Sequence, residues 1–312
     1  MPSIEISGNS YNGREFEYLN NTWREQFTWL DIYRAMITVG ARDWWDIARG
    51  QRYYIYSMLR GLSFLHYFDR NTNWSISSEY QHIEDTERAY GTGLIGATFA
   101  KLVAERILDV PWLIYISRLD MLKGVLDTNP GTRSRPDFAG LDGQKRWHIV
   151  EAKGLYDHSA THLNRRLNDA KFQVNTIRNI NGEAPACKTA IATQLDLSPI
   201  KVNLQDPESD GNNDLEIDTS GYIETYYGFL INFIREHRYI RVSVRNLEYL
   251  ISYLDFASSR ICIGLPEQII LHPISALEAP TDINRLLADN PEWSIGTDGV
   301  LVGNSCDIPE RL

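Results

Sequence analysis

The sequence predicts an α/β fold of the α+β kind: a mixed central sheet with a helix on each side, a helical N-terminal annex and a C-terminal extension. Two observations point there. Between residues 84 and 195 the chain reads as helix, three short strands, helix and strand, an order that a mixed sheet flanked by helices accommodates. Residues 14–70 instead repeat apolar side chains every three or four positions, the period of an amphipathic helix. A chain of 312 residues, 43% hydrophobic and 23% charged, suffices for one large core plus such an annex. The expected division is residues 1–80 as annex, 81–200 as core and 201–312 as an extension packed on the core, since no linker sets the last part apart.

In the annex, Phe16, Leu19, Trp23, Phe27 and Leu30 predict helix, and an aromatic stripe from Trp44 to Phe68 continues the period. Asn71 to Ser78 collects Asn and Ser and reads as a loop. A long helix is expected from Glu84 to Leu108, where Gly91, Gly93, Gly96 and Ala97 form a small-residue face suited to close packing. Pro111 stops it, and Trp112 to Ser117 reads as a buried strand. After a polar loop from Thr128 to Arg135, Pro136 to Ala139 is expected as a short strand and Asp142-Gly143 as a turn. In the strand Trp147 to Lys153, alternation puts Trp147, Ile149, Glu151 and Lys153 on one face. A helix from Ser159 to Ile180 and a strand from Lys188 to Leu195 complete the core. The extension reads as a strand at Ile200–Leu204, helices at Thr219–His237 and Leu247–Phe256, and a hairpin within Trp293–Val302 turned at Asp298-Gly299.

Several function classes drop out. No apolar run approaches the roughly 20 residues that span a bilayer, and Met1 to Asn12 lacks the basic-then-apolar order of a secretion signal. Cys187, Cys262 and Cys306 supply neither a disulfide framework nor paired zinc spacing, so cytoplasmic residence is the default expectation. His158 and His162, four apart, read as a surface pair. Serine and cysteine nucleophile motifs, a phosphate-cradling Walker loop and a dinucleotide glycine signature are absent. The net charge of −10 is the wrong sign for a general nucleic-acid binder, but the charges are uneven. Acids crowd Asp206 to Asp218, while Arg235 to Arg245, with Arg238, Tyr239 and Arg241, offers a basic stretch able to track phosphates.

The chemistry concentrates in the hairpin. Pairing across its turn would bring Asp137 and Glu151 together on one sheet face. Two carboxylates that close repel each other unless a cation sits between them. Such hard oxygen ligands suit Mg²⁺ or Mn²⁺, and the carbonyl of Ala152 is a further candidate ligand. Lys153, two residues after Glu151, returns to the same face. A metal there would activate water and clamp phosphate oxygens, and the ammonium would neutralise developing charge, which are the needs of phosphodiester hydrolysis. A plain cross-strand salt bridge, worth under ~1 kcal/mol if exposed, accounts for one acid but not for two.

At Pro136-Asp137-Phe138 and Glu151-Ala152-Lys153-Gly154, the sequence resembles the PD-(D/E)XK nuclease superfamily. The resemblance implies a restriction-endonuclease-like αβββαβ core, Mg²⁺ held by Asp137 and Glu151, and hydrolysis assisted by Lys153. Relatives often add an acid from the first core helix. Glu84, Glu87 and Glu105 are the candidates, with Glu87 preferred and Glu105 read as a solvated partner of Arg106. Some relatives also carry a glutamine in the helix after the lysine strand, which here is Gln173. Arg165 and Arg166, near the start of that helix, are placed for phosphate contacts. The resulting expectation is a metal-dependent endonuclease acting on DNA in preference to RNA, of a restriction or phage-defence type. Its N-terminal aromatic helices offer a surface for a homodimer. A catalytically inactive scaffold of the same fold and an RNA-cleaving effector stay open as alternatives.

Overall fold

A computed structural model describes residues 1–12, 15–39, 53–117, 125–127, 135–207, 211–244, 247–256, 259–278 and 292–304. Within them the chain is a mixed α/β fold with six α-helices and a seven-stranded mixed central sheet. Trp44 and Trp45 of the aromatic stripe, most of the Thr128–Arg135 loop, Glu208, Asp210, Arg245 and Cys306 lie outside the described residues.

The N-terminal segment departs from the expected helix. Strand β1 (Ser3–Asn9) pairs antiparallel with β2 (Thr22–Gln26), and the helix α1 starts only at Trp29, running to Val39. Phe16, Leu19 and Trp23 satisfy a helical spacing, but β2 alternates exposed and half-buried residues with a period of two. The start of α1 is set by Thr28 and Asp31, which cap each other's amides. The Thr28 amide donates to Asp31 at 2.8 Å, and the Asp31 amide to the Thr28 hydroxyl at 3.1 Å. Helix α2 (Tyr53–Leu65) follows, and the expected Asn71–Ser78 loop is largely a small hairpin of β3 (Phe68–Arg70) and β4 (Trp74–Ile76).

The central elements follow the predicted order. Helix α3 (Asp85–Ile107) is capped by the Glu84 carboxylate. Then come β5 (Trp112–Tyr115), β6 (Val125–Asp127), β7 (Phe138–Leu141), β8 (Trp147–Leu155) and α4 (Ala160–Val174). Beyond them are β9 (Ile177–Ile180), β10 (Cys187–Gln194), β11 (Lys201–Gln205) and β12 (Asn213–Ile217). Helix α4 stops six residues short of Ile180, because Thr176 turns its amide and hydroxyl back onto the Gln173 carbonyl at 3.1 and 2.7 Å. Ile177 and Ile180 are then buried in a three-stranded sheet of β6, β12 and β9.

The large sheet has the order β2-β1-β11-β10-β8-β7-β5; β5, β7 and β8 are antiparallel and β10 is parallel to β8. The β7–β8 turn is wider than Asp142-Gly143. The Asp142 carboxylate takes the amides of Gln144 and Arg146 at 2.9 and 2.8 Å, and Lys145 (φ +64°) is the residue in the left-handed region. Alternation along β8 turns Leu155 toward Leu163, Leu167 and Ala170 of α4. The other face carries Ala152 into the main core with α3. There α3 crosses β8 at backbone contact: a Cβ on Gly154 would lie 2.0 Å from the Thr92 carbonyl oxygen, and one on Gly96 would lie 2.7 Å from the Gly154 nitrogen.

In the C-terminal part, α5 (Thr219–Glu236) and the hairpin of β16 (Trp293–Ile295) and β17 (Leu301–Gly303), with Gly299 at φ +76°, match expectation. The segment Leu247–Phe256 does not: it is strand β14, between β13 (Tyr239–Val244) and β15 (Ser259–Pro266) in a five-stranded sheet with β17 and β16. Buried on both faces over residues 249–252, it reads as a continuous apolar run, which periodicity alone does not distinguish from a helix. A short helix α6 (Glu267–Leu271) follows β15. One apolar core runs from Ile4 through α3, α5 and β15 to Val302.

Buried charges tie these parts together. Arg34 of α1 grips Glu105 of α3 through two bonds of 2.8 and 2.9 Å, and its Nε donates to Ser294 of β16 at 3.0 Å. Asp298 lies 3.5 Å from Arg34 and 3.6 Å from Lys101 of α3. Glu105 is therefore not a solvated partner of Arg106, which instead lies 3.5 Å from Asp31.

Candidate active site

The register of β7 and β8 pairs Phe138 with Val150, so one step further Asp137 stands across from Glu151. Asp137 precedes β7 rather than lying within it. Its amide donates to Glu151 Oε2 at 2.6 Å. Lys153, two positions along β8, donates through Nζ to Glu151 Oε1 and, at 2.6 Å, to Gln173 Oε1. Gln173, in the last turn of α4, is anchored in turn by donating from Nε2 to the Arg135 carbonyl at 3.3 Å. Four residues singled out from sequence as catalytic thus meet at one point, under the C-terminal half of α4.

The electrostatics of this cluster are unbalanced. Glu151 is fully buried (0% exposed), Asp137 is half-buried, and the Lys153 side chain is 17% exposed. Burial pushes the Glu151 carboxyl up to about 8; the neighbouring Asp137 charge adds to the rise and Lys153 opposes it. A buried carboxylate beside a second acid is a donor set that a small divalent cation would relieve, so Mg²⁺ or Mn²⁺ fits the chemistry of Asp137 and Glu151. Ala152 directs its side chain to the opposite face of the sheet, which leaves its main-chain carbonyl as its one means of ligation.

Two of the helix glutamates, Glu84 and Glu105, are committed to other partners. Glu84 spends its carboxylate on the amides of Thr86 and Glu87 at 2.8 and 3.1 Å. Glu87 is exposed in the first turn of α3, and Glu105 is locked onto Arg34. Among the described residues, no group of three or more His, Cys, Asp and Glu side chains gathers as a metal site. His158 pairs with Asp196 and His162 with Asp157 at the surface.

A cleft of about 450 Å³ opens beside the C-terminal end of β8, between the first turns of α3 and α4. Arg165 and Arg166 line it together with Arg88, Thr92, Gly154 and Tyr156. Arg88 pairs with Asp85, whereas neither Arg165 nor Arg166 forms an ion pair with a described residue. The sequence pointed to the two arginines but not to the cleft, whose α3 wall follows from the glycine-mediated crossing at Gly96 and Gly154. Arg238 and Arg241 lie in another region: Arg238 is exposed before β13, and Arg241 pairs with Glu267 at the start of α6. Arg235, in the same basic stretch, donates to the Ile270 carbonyl at 2.8 Å.

No helix among the described residues is long and apolar enough to cross a membrane. No family model matches the chain, and neither a curated protein nor a solved structure matches it.

Proposed function

We propose that this chain is a Mg²⁺-dependent nuclease that hydrolyses phosphodiester bonds of DNA, built on a restriction-endonuclease-like core. The observation that carries the reading is the meeting of Asp137, Glu151, Lys153 and Gln173 around the buried Glu151 carboxylate. With β6 and β9 set aside in the smaller sheet, the succession α3-β5-β7-β8-α4-β10 supports it, since it has the order αβββαβ.

Asp137 and Glu151 would hold the metal, which when bound supplies Lewis-acid chemistry to the scissile phosphate. The Asp137 amide fixes Glu151 by its bond to Oε2, so the carboxylate is oriented before any ion arrives. Lys153 holds a positive charge beside the acids, where it can orient a water and offset charge gathering on the phosphate. Gln173, tethered to the Arg135 carbonyl, keeps the Lys153 ammonium from collapsing wholly onto Glu151.

The test is plasmid nicking in Mg²⁺ and in EDTA, with RNA of matched length in parallel. Activity should require Mg²⁺, and Asp137→Ala and Lys153→Ala should each lower it about a hundredfold or more. Full activity in either variant overturns the assignment, and cleavage of RNA alone redirects it.

A further inference from the structure

Helix α4 shows a second pattern that the hydrolytic centre does not use. At 100° per residue, His162, Arg165, Arg166, Asp169, Phe172 and Gln173 fall within an arc of roughly 120°. The buried Leu167, Ala170 and Val174 lie on the other side. Phe172 is the anomaly: it is 68% exposed, the most exposed large apolar side chain among the described residues, and it has no ring partner there. A lone exposed ring is ordinary on a protein surface. This one is adjacent to Gln173, whose amide holds Lys153, and about 10 Å along the helix from Arg165.

We propose that the solvent face of α4 is a track for an unpaired DNA strand: Arg165 and Arg166 take backbone phosphates, and Phe172 stacks on a base next to the reacting phosphate. The inference rests on the nuclease reading above and names its substrate as single-stranded or frayed DNA rather than intact duplex. A flat π-face is useful to a base only when that base is unstacked, and in a duplex the base faces are covered by their neighbours. Cations that follow the backbone, next to an exposed aromatic, are the combination that binds single strands with little regard to sequence. Arg165 and Arg166 are uncommitted to any described carboxylate and border the cleft, so both remain available to phosphates. Asp169 shares the face and opposes an anion, but two arginines outweigh it, and it pairs with neither.

The experiment is fluorescence anisotropy in EDTA, using the full chain and a labelled mixed-sequence DNA oligonucleotide, single-stranded or annealed to its complement. The single strand should bind more tightly. Phe172→Ala should weaken single-strand binding by about tenfold and leave duplex binding unchanged. Phe172→Trp should retain affinity, and Phe172→Leu, apolar but without a π-face, should behave like Ala. Replacing Arg165 and Arg166 together by Ala should reduce the salt dependence of binding by one to two phosphate contacts' worth. All positions are exposed, and an unchanged melting curve confirms that each variant folds. Equal affinity for single strand and duplex, or unchanged binding in Phe172→Ala, overturns the inference. Cleavage is scored separately in Mg²⁺. Single-strand binding through Phe172 without any cleavage sinks the nuclease reading alone; plasmid nicking with Phe172→Ala indistinguishable from the parent in binding sinks this one alone.

Discussion

Two clusters of buried charge in this molecule obey the same electrostatics and reach opposite ends. In the first, Arg34 and Lys101 face Glu105 and Asp298, two cations against two anions, all fully buried. The remaining oxygens are taken by the Thr297 amide at 3.0 Å, the Val300 amide at 3.0 Å and the Tyr226 hydroxyl. In the second, the buried Glu151 accepts from the Asp137 amide and from Lys153. Burial acts on Glu105 as on Glu151, yet Arg34 and Lys101 hold Glu105 below the ordinary glutamate range while Glu151 is driven above it. A buried carboxylate held in its charged form is a fastener; one driven toward its neutral form is a socket.

The comparison can be broken at its strongest point first. Arg34→Ala strands Glu105 and Asp298 in the core and should cost about 3–5 kcal/mol of stability in urea denaturation. A loss below ~1 kcal/mol would mean that the network is not what joins α1, α3 and the β16–β17 hairpin. The second cluster should respond with the other sign. Asp137→Asn removes the charge that raises the Glu151 carboxyl and should raise stability by about 0.5–2 kcal/mol while removing cleavage. If it destabilises, the acid pair is structural.

A finer test uses pH. Glu151 binds its proton more tightly in the folded chain than at the ordinary glutamate value of 4.5. Its contribution is therefore complete below pH 4.5 and lost as pH rises toward about 8. Glu105, shifted down, contributes in full above its ordinary value and loses that contribution as pH falls further into acid. Urea midpoints of Glu151→Gln relative to the parent should thus rise with pH up to about 8 and then level. A flat difference would show that folding does not raise the Glu151 carboxyl. The smallest expected effect is at Glu87: exposed in the first turn of α3, its change to Gln should alter nicking less than about twofold. A large loss would return it to the metal shell.

What could be read from sequence was local. Asp137, Glu151, Lys153 and Gln173 converge because strand alternation, one turn and one helix suffice to place them, and every step spans fewer than 25 residues. The fastener could not be read, since Arg34 and Ser294 are 260 positions apart and nothing near either announces the other. The same holds for the sheet edge, where β1 joins β11 in parallel, Glu5 against Lys201. A helical period in Phe16, Leu19 and Trp23 then won over a strand whose partner is remote. At Leu247–Phe256 the difficulty was different: burial on both faces removes the alternation that marks a strand. The reciprocal cap of Thr28 and Asp31 that starts α1 went unread because the apolar period runs straight through it.

The glycine that follows Lys153 has a consequence of a mechanical kind. Because the Gly154 backbone rests directly on α3 at Thr92, that helix acts as a fulcrum for the end of β8, and the lysine sits one residue from the pivot. Any side chain at 154 would have to lever the helix away and swing the strand end with it. The ammonium would then miss the Gln173 amide, although no group that touches substrate had been changed. The last residue of Glu151-Ala152-Lys153-Gly154 is thus a tolerance on the instrument, setting how far Lys153 is allowed to wander.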